Sequence, residues 1–173
     1  MVDKFLRIAI TLPYAIENEG SRIARLLDTG FNYVHLRKPG WTLDQMATLI
    51  DEVPPCYRNR LRIHDHHSLA REYGLAGVHV NSRNRAVPVD YPYTVSCHSI
   101  AKLGEYSRAD YVFLSPVFDS ISKKGYKAAF NLHELQPLIE GHRVVALGGV
   151  TPDKIFLLQE IGFYGAAMLG AAW

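Results

Sequence analysis

The sequence predicts an α/β fold closed into a compact (β/α)8 TIM barrel, and three observations carry that expectation. Eight short apolar runs, several of them β-branched, recur along the chain, and helical patterns ended by glycine or proline lie between most of them. Polar residues gather after the runs and not before them, as expected where function sits at the C-terminal ends of barrel strands. A doubly wound open sheet is the alternative.

In order, the runs are Arg7 to Leu12, Tyr33 to Arg37, Leu61 to His64, Gly77 to Val80, Tyr93 to Cys97, Tyr111 to Ser115, Arg143 to Leu147 and Tyr164 to Leu169. Ser21 to Asp28 follows the first run as a helix and stops at Gly30; Thr42 to Val53 follows the second and stops at Pro54-Pro55. His67 to Tyr73 then runs to Gly74. The segment after the fourth strand, Asn81 to Pro92, is interrupted by proline and reads as loop. Helices return at Ser99 to Tyr106, Leu132 to Glu140 and Pro152 to Ile161, with Gly141 and Gly162 as stops for the last two. Nothing helical follows the eighth strand, so the helices after strands 4 and 8 are expected to be shortened or missing.

At 173 residues the chain suits one domain, 1–173. Hydrophobic residues make up 48% and charged residues 21%, and no apolar stretch nears the ~20 residues of a membrane helix. No export signal is readable, so a cytoplasmic location is expected. Cys56 and Cys97 form no metal or disulfide spacing. A net charge of +2, with no basic stripe, argues against nucleic acid and for a small phosphorylated ligand. Trp41 and Trp173 are offered as marks of a homodimer interface, or as isolated surface residues.

Gly148-Gly149 turns the chain after the seventh strand, with Thr151 as N-cap and Pro152 at the first helical position. With the tail Leu169-Gly170-Ala171 it matches the place where barrels hold phosphate, although a glycine pair also serves close packing. The rim elsewhere carries His35, Arg37-Lys38, His64-Asp65, His79, Ser96 and His98. HDHHS suggests zinc, but His64 and His66 point to opposite sides of an extended chain, and Asp65 and Ser68 also suit a helix start. A lone carboxylate beside phosphate suits Mg²⁺. The segment DSISKKGYKAAF offers Ser120 and Ser122, Lys123 and Lys124, and a hinge at Gly125, a composition for closing over an anion.

YVHLRKPG, RIHDHHSLAREYGLAGVHV, SCHSIAKLGEYSRADYVFLSPVFDSISKKG and VVALGGVTPDKI with YGAAMLG, in that order, resemble the thiamine phosphate synthase family, including its aminothiazole tautomerase branch. The resemblance implies a transferase that joins an aminopyrimidine methyl diphosphate to a thiazole phosphate and releases pyrophosphate with Mg²⁺. It assigns Arg37 to the diphosphate, Asp65 to Mg²⁺, Ser96 to the diphosphate side, and Ser120, Ser122 and Lys123 to the hydroxyl and lysine loop. Gly148, Gly149, Leu169 and Gly170 fall on the thiazole phosphate, and His98 falls where the tautomerases move a proton. The chain departs from the pattern at four places: His35 replaces a glutamine, Lys38 is shifted by one position with Pro39 behind it, and His64 replaces an asparagine. Asn84 stands where a second metal carboxylate is expected, beside Arg83. Arg37, Lys123, His98 and Ser96 are the candidate catalytic residues; His35, Lys38, His64, Arg83 and Asn84 join the phosphate residues as candidate ligand contacts. The alternatives are a thiazole tautomerase and a non-catalytic binder of thiamine precursors.

Overall fold

The computed structural model describes residues 5–88, 90–119 and 128–173. Eight parallel strands close in sequence order: β1 (Leu6–Ile10), β2 (Tyr33–Leu36), β3 (Leu61–Ile63), β4 (Gly77–Val80), β5 (Tyr93–Cys97), β6 (Val112–Leu114), β7 (Val144–Ala146) and β8 (Gly165–Met168). Pairing of β1 with β8, Ile8 opposite Ala167, completes the ring and removes both sheet edges. The open-sheet alternative is therefore excluded. Each strand lies inside or within one residue of its expected run.

Strand side chains alternate between two environments. Outward residues such as Val34, Leu61, Ile63, Val78 and Val144 join the large core beneath the helices α1 (Glu19–Asp28), α2 (Leu43–Glu52), α3 (Ser68–Glu72), α4 (Leu132–Ile139) and α5 (Ile155–Ile161). Inward residues divide by chemistry. Ile8, Ile10, Phe113, Val145 and Ala167 fill one half of the barrel with apolar contacts, whereas β2 to β5 send in His35, Arg62, His64, His79 and Thr94. The inner half-circle of polar groups is what gives this barrel an interior capable of more than packing.

Arg62 lies near the N-terminal end of that interior. Its guanidinium reaches Asp110 at 2.5 Å and lies 5.1 Å from the rings of both Tyr33 and Tyr111. Gly77, on the neighbouring strand, makes room for it: a Cβ there would stand 2.6 Å from Arg62 Nη1.

Helices differ from expectation in type more than in place. Thr42 caps α2 in a reciprocal box with Gln45, which fixes that start as read. Beyond the Pro54-Pro55 stop, Pro55–Arg60 is a 3-10 helix, and Ile100–Tyr106 is 3-10 within the helix expected at Ser99 to Tyr106. The last helix splits into a 3-10 turn, Pro152–Lys154, and α5. Among the described residues no helix joins β4 to β5, and β8 is followed only by the 3-10 turn Gly170–Ala172, as expected. Trp173 then donates from Nε1 to the Ile10 carbonyl at 2.8 Å. Among the described residues no helix is long and apolar enough to cross a membrane, and both cysteines are free.

Candidate active site at the C-terminal rim

Three imidazoles from consecutive strands meet inside the barrel. His35 Nδ1 lies 3.1 Å from His64 Nε2, and His35 Nε2 lies 2.7 Å from the Tyr111 hydroxyl. His79 stacks on His64 at 4.1 Å between centroids and is held at both nitrogens, by Thr94 Oγ1 and Ser96 Oγ at 2.8 Å each. Burial pushes all three histidines below their ordinary range, His79 to about 3, and the Arg62 charge adds to the effect at His35 and His79. Nothing in the sequence marked these residues as one group, because they come from β2, from the position just after β3, and from β4.

One ring nitrogen from each lies within 4.8 Å of the others, which raises the question of a transition metal. The ring planes answer it. His64 and His79 are only 24° from parallel, so their in-plane lone pairs run side by side and do not converge, and both nitrogens of His79 are already bonded. The remaining histidines of HDHHS point elsewhere: His66 reaches the Trp41 carbonyl at 2.7 Å and His67 the His64 carbonyl at 3.2 Å. The cluster is a hydrogen-bonded network of neutral rings.

Above it lie the charged groups. Arg37, just beyond β2, has its backbone pinned by Thr11, whose hydroxyl accepts from Arg37 N at 2.8 Å and donates to Arg37 O at 3.1 Å. Thr11 is fully buried, and the sequence reading passed it over as the end of a strand. Asp65 follows β3, and its Oδ2 lies 3.4 Å from Arg83 Nη2. Arg83 rides on a turn after β4 in which Asn81 Oδ1 accepts from Arg83 N at 2.9 Å and Asn84 N at 3.2 Å. Burial and the nearby Arg83 lower the Arg37 guanidinium from its usual value, while Asp65 raises it. Two guanidiniums that act on one another in this way, with Asp65 as the one carboxylate shown beside them, favour an anionic ligand.

An Mg²⁺ ion fits this donor set in one form. Asp65 is a hard oxygen donor at a strand end and partly open to solvent, so it suits an ion whose other ligands are substrate oxygens and water. Asn84 joins the turn through its backbone, its N–H donating to Asn81 and its carbonyl accepting from Asn81 N at 3.0 Å, and it adds no charge.

Lys38 is placed away from this cluster, which corrects its expected role as a ligand contact. Its Nζ lies 2.7 Å from both oxygens of Glu19 and 2.6 Å from the Tyr14 carbonyl, and the side chain is buried. The one-residue shift along an extended chain turns it to the other side of the strand, away from Arg37. His35 is likewise fully buried and meets other side chains, so it can act on a ligand only through them.

On the facing side, Ser96 holds His79, and exposed His98 lies with Nδ1 2.8 Å from the Ser115 carbonyl. The glycine pair is explained first by backbone packing. A Cβ on Gly149 would stand 2.1 Å from Asp119 O and one on Gly148 2.9 Å from Pro116 Cα, with φ at +62° and +92°. Phe118 N donates to Gly148 O at 3.0 Å, so the loops after β6 and β7 lie side by side. Thr151 opens the following turn with extended backbone but makes no side-chain cap bond, and Lys154 instead donates to Gly149 O at 2.6 Å. Leu169 and Gly170 bring β8 to the same end of the barrel. Ser120, Ser122 and Lys123 lie outside the described residues; the residues on either side, Asp119 and Ala128, are joined by Ala128 N donating to Asp119 Oδ1 at 2.7 Å.

Comparison with known proteins decides the family. The model of the thiamine monophosphate synthase family matches residues 8–172, nearly the whole barrel. The chain belongs to that family. A thiamine phosphate pyrophosphorylase from Bacteroides thetaiotaomicron has the same fold with a TM-score of 0.84 and 30% identity, over 96% of this chain and 84% of that one. A thiamine-phosphate synthase of Pediococcus pentosaceus is 25% identical over 86% of this chain and 77% of its own length. A protein of Aquifex aeolicus named putative thiamine-phosphate synthase 2 is 28% identical, over 87% and 88%.

Proposed function

We propose that the protein is a cytoplasmic thiamine phosphate synthase, a transferase that couples an aminopyrimidine methyl diphosphate to a thiazole phosphate. The observation that carries this reading is the Arg37, Asp65 and Arg83 cluster over the polar half of the barrel, with the phosphate-type turn at Gly148-Gly149 on another part of the same rim. Family membership supplies the substrate class.

In this reading Arg37 and Arg83 bind the diphosphate and stabilise its charge as the bond to the pyrimidine methylene carbon breaks. Bound Mg²⁺, held by Asp65, would add Lewis-acid charge neutralisation on the same oxygens. The electron pair of that bond leaves with pyrophosphate. The thiazole nitrogen then donates its pair to the methylene carbon and forms the new C–N bond, so no proton need move. The chain's task is to hold two phosphorylated molecules in line, and Gly148, Gly149, Leu169 and Gly170 would place the second. Ser96, with Ser120, Ser122 and Lys123, would act on the diphosphate. Mixing the two precursors and following thiamine phosphate and pyrophosphate, with and without Mg²⁺, tests this directly. Absence of both products sinks the reading.

One observation favours a second reading. His98 Nδ1 is engaged by Ser115, whose carbonyl lies at 2.8 Å and whose hydroxyl lies at 3.2 Å, and Nε2 is the nitrogen left for a ligand on an exposed ring. That is the equipment of a thiazole tautomerase. Isomerisation of a thiazole phosphate that is lost in His98→Ala, with no coupling, would select it. Precursor binding without either reaction would select a non-catalytic binder.

A further inference from the structure

We infer that Tyr111, His35 and His64 form a hydrogen-bond chain of fixed polarity, which makes His64 Nδ1–H a donor to a phosphoryl oxygen of the ligand between Arg37 and Arg83. The ligand class rests on the diphosphate reading above; the polarity does not.

The direction follows from the innermost member. Tyr111 is buried at the start of β6, and among the described residues its hydroxyl meets one hydrogen-bonding partner, His35 Nε2, at 2.7 Å. A phenol deprived of water must give its hydrogen to an acceptor, and that acceptor can only be this nitrogen. His35 therefore carries its own hydrogen on Nδ1. That hydrogen points at His64 Nε2, 3.1 Å away, so His64 in turn carries its hydrogen on Nδ1. Reversing the chain would strand the phenol hydrogen in the core. The outer end has no such problem, because His64 alone of the two histidines keeps some exposure, 4%, and immediately precedes Asp65.

His79 does not compete for this role, since both its nitrogens are engaged by Thr94 and Ser96. His64 Nδ1 has no hydrogen-bond partner among the described residues. An N–H can only meet an acceptor, and the Arg37 and Arg83 charges both act on the His64 ring, so an anionic oxygen suits all three donors. Tyr111 and His35 are thus positioning residues: neither touches the ligand, and together they set which nitrogen of His64 is offered to it.

Long-range ¹H–¹⁵N correlation spectra of the full chain at neutral pH test the chain of donors, with inorganic pyrophosphate as the probe. Both His35 and His64 should show protonated Nδ1 and bare Nε2, and pyrophosphate should shift the His64 Nδ1–H signal. Tyr111→Phe should relax the His64 preference and weaken pyrophosphate binding roughly three- to tenfold, the value of one hydrogen bond. Protonated Nε2 on either ring, or unchanged pyrophosphate affinity in Tyr111→Phe, overturns the inference. If that variant does not fold, the unaltered protein still decides, because a His64 signal indifferent to pyrophosphate also overturns it. Intact signatures without thiamine phosphate formation would instead remove the synthase reading and leave the relay standing.

Discussion

Replacing Lys38 by methionine tests whether this lysine serves the fold or the ligand. Lys38 and Glu19 are 1% and 3% exposed, and the ammonium spans both carboxylate oxygens, the Tyr14 carbonyl and, at 4.9 Å, the ring of Trp41. Removing one partner of such a pair leaves an unpaired charge in the core, which costs about 3–5 kcal/mol. For a chain of this size that lowers Tm by roughly 10 °C. Burial already raises the Glu19 carboxyl, and Lys38 holds it down; without the lysine it rises further. A raised carboxyl takes up a proton on folding, so the deficit of Lys38→Met should shrink as pH falls towards about 5. Urea unfolding at pH 7 and pH 5 measures this, and adding Glu19→Leu should recover most of the loss by removing the stranded charge. Inorganic pyrophosphate should bind the folded variant as before. An unfolding free energy within about 1 kcal/mol of the unaltered protein, together with weaker pyrophosphate binding, would refute the argument and return Lys38 to the ligand.

Gly149→Ala should destabilise the protein by more than about 2 kcal/mol, combining a left-handed backbone with a contact at 2.1 Å, and should weaken inorganic phosphate binding by separating the two loops; thermal melts and calorimetry read both. His35 and His79 stay neutral in the fold while their unfolded counterparts take up protons below about pH 6.5, so each should remove about 1.4 kcal/mol of stability per pH unit as pH falls from there. For His79 this continues towards pH about 3, and equal urea midpoints at pH 7 and pH 5 would contradict it. Asp65→Ala should slow coupling on the order of a hundredfold and flatten its Mg²⁺ response while thiazole phosphate still binds. Equal loss of coupling and thiazole phosphate binding would contradict the assignment of Asp65 to the diphosphate side.

Much of the fold was legible because its signals are local. A β-branched run bounded by glycine or proline is a strand wherever its neighbours lie, and Gly77–Val80 and Tyr93–Cys97 appear with the expected bounds. The 3-10 segments were misread because propensity separates helix from coil more sharply than it separates an i+3 from an i+4 hydrogen bond. Trp41 and Trp173, offered as interface marks, are partly buried within the chain, one under Lys38 and the other bonded to Ile10. Each rim residue was visible as a polar position after a strand, but its direction was not.

The sequence by itself determined the ring of eight strands, the end of the barrel that carries charge, and, through motif order, the family. Only the tertiary structure decided which of those charges face one another. Arg37 and Lys38 are adjacent in sequence, yet one feels the charges of Arg83 and Asp65 while the other is sealed against Glu19. His35, His64 and His79 are 29 and 15 residues apart along the chain and in contact across it, because neighbouring parallel strands bring distant positions into register. Hydrogen bonds, burial and proton position depend on those long-range contacts, so the chemistry of the site emerges only when the barrel closes.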